Sequence, residues 1–230
     1  MSKKNTAGDD RMVAVEEALG RTEQFVEKYQ KLIMYVITGI ILIVLAYFGY
    51  QRLYISPMEA NAQEEVFMAQ KYFEMDSLNR ALHGDGNALG FLDIIDDYGA
   101  SKTGNLARYY AGICYLRMGN FEEAIDYLEQ HDPVDQIIAP MALGALGDAY
   151  LELNEPERAA DYYMDAAEEN YNDFTTPMFL YKAGMTYEIL GEYEDALEVY
   201  DRIYREFYRS AEGRTIERNI AKMERLIETE

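Results

Sequence analysis

The feature that most constrains the fold of this chain is a residue pattern that recurs three times in its second half. In each copy a glycine is followed by a tyrosine three positions later, by an alanine twelve positions later, and by a large side chain four positions after the alanine. The glycines are 35 and 37 residues apart, a period typical of arrays that stack one small structural unit per repeat. The positions are Gly112, Tyr115, Ala124 and Leu128; Gly147, Tyr150, Ala159 and Tyr163; Gly184, Tyr187, Ala196 and Tyr200.

This spacing predicts a hairpin of two helices in each unit. A glycine lets two helices approach closely, the tyrosine fills the space beside it, and we expect the alanine to be the close-contact partner on the second helix. Residues that end helices lie where the turn between the two helices belongs. They are Gly119 and Asn120 in the first unit, residues 154–156 in the second, and Gly191 and Glu192 in the third.

The pattern resembles the tetratricopeptide repeat, a unit of 34 residues. The usual tryptophan position holds Arg108, Leu143 or Leu180, and the chain has no tryptophan. A degenerate fourth unit is expected at residues 59–99, with a turn lengthened by residues 83–87. Residues 210–228 carry one apolar stripe and predict a terminal cap with a polar outer face. The resemblance implies an all-α solenoid of three clear repeats plus one degenerate repeat, closed by a C-terminal capping helix.

An uncharged, apolar run at residues 32–50 predicts a transmembrane helix, because 19 helical residues span roughly the ~30 Å hydrocarbon layer. Tyr47, Tyr50 and Tyr54 mark one end, as an interfacial aromatic belt would. A buried core helix and a cleaved signal peptide are the alternatives. The preceding flank is too long and too acidic for an ordinary signal peptide, so we expect the helix to stay as an anchor.

The distribution of lysine and arginine predicts the orientation. Six basic residues precede the apolar run, and only Arg52 and Lys71 lie in the first twenty or so residues after it. We expect residues 1–31 to be cytoplasmic, residues 32–54 to cross a bacterial inner membrane, and residues 55–230 to form a periplasmic repeat domain.

The charge distribution excludes one class of partner. Of the 42 acidic residues 36 follow residue 54, together with only 14 of the 21 basic residues. A domain this acidic is repelled by phosphate backbones, so nucleic-acid binding is excluded.

The sequence carries no recognisable catalytic motif, and we expect no enzyme activity, cofactor, metal or small-molecule substrate. The single cysteine, Cys114, lies one residue before Tyr115 and is expected to be a small apolar core residue. His83 and His131 are expected in solvated loops. The acidic clusters at residues 93–97 and 122–126 lack the spacing of a calcium-binding loop and are interpreted as solvated helix faces.

The resemblance implies that partners bind the concave face, at five positions of each unit. Alternatively, these side chains pack against the chain's own flanking helices. The mixture of large apolar side chains and scattered acids is typical of a groove for a helix or extended peptide. The residues are Leu106, Tyr109, Ile113, Leu116 and Arg117; Met141, Gly144, Asp148, Leu151 and Glu152; Met178, Tyr181, Met185, Glu188 and Ile189.

The layout of a charged N-terminus, one span and an acidic repeat domain resembles the YfgM-type proteins, which are ancillary subunits of the bacterial Sec translocon. Residues 16–54 in particular are similar to the anchor of that family. The resemblance implies a protein-binding scaffold or chaperone-like factor whose partners are translocon subunits, a periplasmic chaperone or exported chains. The alternative is a structural scaffold for cell-wall or outer-membrane assembly.

Overall fold

The computed structural model describes residues 6–132 and 135–229, with side chains from Lys28 onward. The chain divides into two compact units, Met1–Pro57 and Met58–Glu230. The first contains the long helix α1, Thr6–Tyr50, and a π-helical turn, Gln51–Ile55. The side chains of residues 1–27, most of the expected cytoplasmic segment, lie outside the described part.

The large apolar side chains of α1 are exposed between Leu32 and Tyr50. Within the described residues, one stretch of helix is long and apolar enough to cross a membrane, and none of its apolar window is buried. A helix that is apolar all round and has no protein partner in its own unit fits a lipid environment better than water.

The second unit consists of helices alone within its described residues. In chain order they are α2 Ser56–Glu74, α3 Leu78–His83, α4 Phe91–Tyr98, α5 Lys102–Met118, α6 Phe121–Glu129, α7 Ile138–Glu152, α8 Pro156–Glu169, α9 Thr175–Leu190, α10 Tyr193–Glu206 and α11 Glu217–Ile227. Helix α2 begins at the end of the first unit. The predicted hairpins are α5 with α6, α7 with α8, and α9 with α10, and each helix pair is in contact.

Local chemistry sets the ends of these helices where the sequence predicts turns. The Ser101 hydroxyl accepts from the Gly104 amide at 2.9 Å and caps α5. Gly119 and Gly191 end α5 and α9 in the left-handed conformation, with φ of 81° and 79°. Pro156 occupies the first turn of α8, where its missing N–H costs no hydrogen bond.

The degenerate unit differs from the simple hairpin that the sequence predicts. The short helix α3 lies between α2 and α4 and contributes the fully buried Leu82 to a core around Phe91 and Ile94. The lengthened turn is held by Asp85, which accepts hydrogen bonds from the Tyr72 hydroxyl at 2.7 Å and from the amides of Asn87 and Ala88.

The repeat glycines make the expected close contacts with the second helix, and the nearest atoms belong to the large residue of the pattern. A Cβ at Gly147 would lie 2.6 Å from the ring of Tyr163, and one at Gly184 would lie 2.4 Å from the ring of Tyr200. At Gly112 the nearest atom belongs to Leu128. The large residue of the pattern therefore gives the nearest contact at each glycine. The expected alanine contact is present at Gly112, where a Cβ would lie 3.2 Å from the carbonyl oxygen of Ala124.

The pattern tyrosines add a second helix-to-helix contact. Tyr115 stacks on Tyr127 with ring centroids 5.4 Å apart, and Tyr150 stacks on Tyr162 at 5.2 Å. Offset stacking of this kind stabilises a pair beyond the area it buries.

Candidate protein-binding face

The predicted binding residues lie on the first helices of the three hairpins, α5, α7 and α9. Helix α5 contacts α7, and α7 contacts α9, so these helices stand side by side. We call the surface they share the first-helix face. Eleven predicted residues define it: Leu106, Tyr109, Ile113, Leu116, Met141, Asp148, Leu151, Met178, Tyr181, Met185 and Glu188.

Most of the first-helix face is already occupied by the protein's own packing. Ten of the eleven residues are half-buried, and seven of these pack against the main core. Gly144 is covered completely, since a Cβ there would lie 1.9 Å from the ring of Phe179. The alternative that these side chains pack against neighbouring helices therefore describes most of the face. Met185 is the exception, with 44% of its surface exposed.

The two acidic residues of the face bind groups within the protein. Asp148 accepts a hydrogen bond from the Tyr163 hydroxyl at 2.6 Å and forms an ion pair with Lys182, whose Nζ lies 2.6 Å away. Tyr163 stands on the second helix of the same hairpin, and Lys182 on the first helix of the next. Burial, followed by the negative charge of Asp148, raises the pKa of Tyr163, so the hydroxyl keeps its proton.

Glu188 repeats this arrangement one hairpin later. Its carboxylate accepts from the Tyr200 hydroxyl at 2.8 Å and forms an ion pair with Lys222 on α11. Lys182 and Lys222 each lie 34 residues after the carboxylate they bind. A tyrosine–carboxylate–lysine chain thus connects the second and third hairpins and then the third hairpin and α11.

The two ends of the first-helix face differ in the residues that border them. Arg117, at the end of α5, binds Asp76 at 2.7 Å and lies over the ring of Phe73, 5.4 Å from its centroid. At the opposite end a groove of about 710 Å³ runs between α9 and α11. We call it the terminal groove. It is lined by Tyr181, Met185, Glu188, Arg218, Asn219, Ala221, Lys222 and Arg225.

The terminal groove contains three predicted binding residues and a set that the sequence reasoning missed. The sequence reasoning assigned Arg218 and Lys222 only to the polar outer face of the cap and gave Arg225 no role. Their spacing of four and three residues places them on one side of a helix, and this signal was visible in the sequence.

The cysteine and the acidic clusters that the sequence analysis considered can now be placed in the structure. Cys114 is fully buried, and burial raises the pKa of its thiol to about 12, which suppresses the reactive thiolate. No group of three or more potential metal ligands occurs among the described residues. Asp93, in one of the acidic clusters, accepts from the Gly90 amide at 3.0 Å and caps α4.

The prediction that His131 is solvated is wrong, whereas His83 is exposed. His131 is only 8% exposed, and its Nδ1 lies 3.0 Å from the carbonyl oxygen of Asn105. The Asn105 side chain exchanges two hydrogen bonds with the backbone of Asp132, at 2.7 and 2.8 Å. These bonds hold the chain after α6 against α5, and the histidine ring is buried beside Tyr109 as a result.

Comparison with known proteins supports the repeat assignment. Two family models, both described as tetratricopeptide repeat, match residues 144–211 and residues 106–130. The solved structure described as "Crystal structure of MamA protein" matches with a TM-score of 0.50 and 18% identity, covering 75% of this chain and 91% of that one. No curated protein matches the chain significantly. The matched segments correspond to the three predicted units, and the fold is a tetratricopeptide-repeat solenoid.

Proposed function

We propose that this tetratricopeptide-repeat chain is a membrane-anchored, non-enzymatic scaffold that binds exported proteins or their chaperones near the Sec translocon. The repeats indicate a protein–protein interaction scaffold. The observation that carries the proposal is the open terminal groove, where Met185 and Tyr181 meet the bases of α11 at the end of an otherwise self-packed face. The side chain of methionine is flexible, so an exposed methionine in a groove can pack against partner side chains of different shapes.

Anchoring is supported by the exposed apolar side chains of α1. The proposed topology places residues 1–31 in the cytoplasm, residues 32–54 in the bacterial inner membrane and residues 55–230 in the periplasm, because the basic residues are concentrated before the apolar run. A phosphatase reporter that is active only outside the cytoplasm, fused after Glu230, should be active. Activity of a cytoplasm-only reporter at that site would overturn the topology.

The translocon assignment is supported by the resemblance to YfgM-type proteins, with translocon subunits, a periplasmic chaperone or exported chains as the proposed partners. The second candidate, a scaffold for cell-wall or outer-membrane assembly, uses the same anchor and the same face. Co-purification from mild detergent separates the two. Translocon subunits in the eluate support the first, and wall or outer-membrane assembly proteins without translocon subunits would replace it by the second.

The contact surface is tested by site-specific photo-crosslinking in cells. A photoreactive residue at Met185 should give adducts to the co-purified partner. Glu169, an exposed residue of α8, is the control, and it is preferable to Glu168 because Glu168 is bound to Arg202. Equal yields at Met185 and Glu169 would refute binding at the terminal groove. If Met185 gives no adducts although the partner still co-purifies, the contact would lie in the anchor and residues 12–31.

A further inference from the structure

The charged residues of α11 are sorted onto two sides of the helix. At about 100° per residue, Arg218, Lys222 and Arg225 fall within an arc of about 60°. The acidic residues Glu217, Glu224 and Glu228 fall within an arc of about 40° whose centre lies about 110° away from the centre of the basic arc. The basic arc lines the terminal groove, and none of the three acidic residues does. The groove therefore has a basic wall in a domain whose net charge is strongly negative.

Two of these bases are available to a ligand. Lys222 is bound to Glu188, but Arg218 and Arg225 form no ion pair with any residue in the described part of the chain. Both are exposed. Three other bases of the repeats, Arg117, Lys182 and Arg202, are bound to carboxylates, whereas Arg205 and Arg209 are bound to none among the described residues.

The local charge of the groove decides which ligand it attracts. At physiological ionic strength charges more than about 8 Å apart are largely screened, so the acids of other hairpins act weakly on a ligand inside the groove. Glu217 and Glu224 are next in sequence to Arg218 and Arg225, but they face another side of α11 and do not line the groove. The lining groups are three bases and one carboxylate, Glu188, which leaves an excess of two positive charges. Arginine binds carboxylates through paired N–H donors, an interaction that is stronger and more directional than one from lysine.

The apolar side of the groove adds a second requirement. Met185 is 44% exposed, and Ile189, one turn further along α9, is 64% exposed. Tyr181 is half-buried between them and the core, 6.0 Å from the ring of Tyr200. Tyr181 and Met185 line the groove together with the arginines, and Ile189 follows Met185 on α9. A ligand that contacts both the arginines and these apolar side chains needs a large apolar group close to its carboxylates.

We infer that the terminal groove binds an acidic segment of a partner polypeptide, with partner carboxylates on Arg218 and Arg225 and a large apolar partner side chain against Tyr181 and Met185. The inference rests on the proposed function, because it assumes that the protein binds its partners through the first-helix face. It adds the chemistry of the segment that is recognised. Segments that are basic or lack an apolar anchor are rejected.

The test uses the full-length chain in nanodiscs of zwitterionic lipid, at 0.15 M salt. Three fluorescently labelled twelve-residue peptides are compared by anisotropy: four glutamates around one phenylalanine and one leucine, the same peptide with lysines for glutamates, and the acidic peptide with serines for the two apolar residues. We expect saturable binding of the first peptide and at least tenfold weaker binding of the other two.

Matched variants locate the binding. Arg218→Gln combined with Arg225→Gln should weaken binding of the acidic apolar peptide about 2- to 25-fold, since each exposed charge pair contributes about 1.4- to 5-fold. Met185→Ser should weaken it further. Arg205→Gln combined with Arg209→Gln removes the same charge from exposed positions outside the groove and should change nothing. Circular dichroism confirms that each variant is folded.

Four outcomes would overturn the inference: no binding of the acidic apolar peptide, equal binding of the lysine peptide, equal binding by the two arginine double variants, or self-association of the chain that depends on Arg218 and Arg225. The last would make a second copy the occupant of the groove. The proposed function has its own readout in the crosslink from Met185. A Met185 adduct to a translocon partner together with failure of the acidic peptide would leave the function standing and remove only this inference.

Discussion

Replacing Gly147 with alanine tests whether the repeat glycines are steric requirements. The added Cβ would lie 2.6 Å from Cε1 and 2.7 Å from Cδ1 of Tyr163. Tyr163 is only 2% exposed, and its hydroxyl is held by Asp148 at 2.6 Å. The ring therefore cannot move aside without losing that hydrogen bond or displacing α8.

The expected loss is the difference between two effects. Forcing an extra carbon into a well-packed core costs about 1–3 kcal/mol. Alanine in place of glycine inside a helix restores up to about 1 kcal/mol through helix propensity. The difference is about 0–2 kcal/mol, and because the Tyr163 ring is buried and held by Asp148 we expect the upper half of it, about 1–2 kcal/mol. Since a domain of this size shifts by about 2–4 °C per kcal/mol, the melting temperature should fall by about 2–8 °C. The melting temperature is measured by circular dichroism of the fragment that covers residues 57–230.

The control removes the obstacle. In a Tyr163→Ala background there is no ring to clash with, so Gly147→Ala should raise the melting temperature relative to Tyr163→Ala alone. Glu157→Gln, an exposed change on α8, should stay within about 0.5 kcal/mol of the unmodified fragment. An equal fall for Gly147→Ala in both backgrounds would show that contact with Tyr163 is not the cause, and no fall in either would refute the packing argument.

Three further predictions concern the repeat array. A double-mutant cycle of Asp148→Asn and Lys182→Gln should give a coupling energy of about 0.2–1 kcal/mol, because the pair is partly exposed; zero coupling would contradict the ion pair. Deleting residues 210–230 removes the fully buried side chains that cover α10 and should reduce solubility and the melting temperature, so unchanged values would refute the capping role. The hydrogen bond from the Tyr72 hydroxyl lowers the pKa of Asp85 to about 2. The stabilising contribution of the Asp85 carboxylate should therefore be complete above about pH 4 and be lost as the pH falls through 2. Thermal melts at pH 4 and pH 2 should show that an Asp85→Asn chain lacks this part of the acid dependence.

The helical hairpins could be predicted from the sequence because close helix contacts leave a periodic record in residue size. The sequence could not predict which of two residues makes the nearest contact with a repeat glycine. Ala159 and Tyr163 are four residues apart, so both lie on the side of α8 that faces Gly147. Which of them covers the glycine depends on how far α8 is displaced along α7, and no residue pattern records that displacement.

The first-helix face was identified from family positions, but its occupancy depends on contacts between hairpins. Asp148 was expected to be one of several acidic residues on an open surface. Its carboxylate is instead bound by Tyr163 and Lys182. A signal for this existed in the sequence. Opposite charges recur 34 residues apart, close to the period of the array, in Asp148 with Lys182, Glu168 with Arg202, and Glu188 with Lys222. Residues one period apart lie at equivalent points of neighbouring units, so such pairs are expected to meet.

The same period relates the terminal groove to the charge pairs between the hairpins. Lys182 on α9 binds the carboxylate of the preceding hairpin, and Lys222 on α11 does the same one step later. In this ion pair α11 stands to α9 as α9 stands to α7. In the interior, Lys182 and Arg202 each meet an acid of the preceding hairpin. Arg218 and Arg225 are bound by no carboxylate among the described residues, and a partner's carboxylates can take that position. An acidic segment bound in the terminal groove would continue the pattern of charge pairing by which the repeats bind one another.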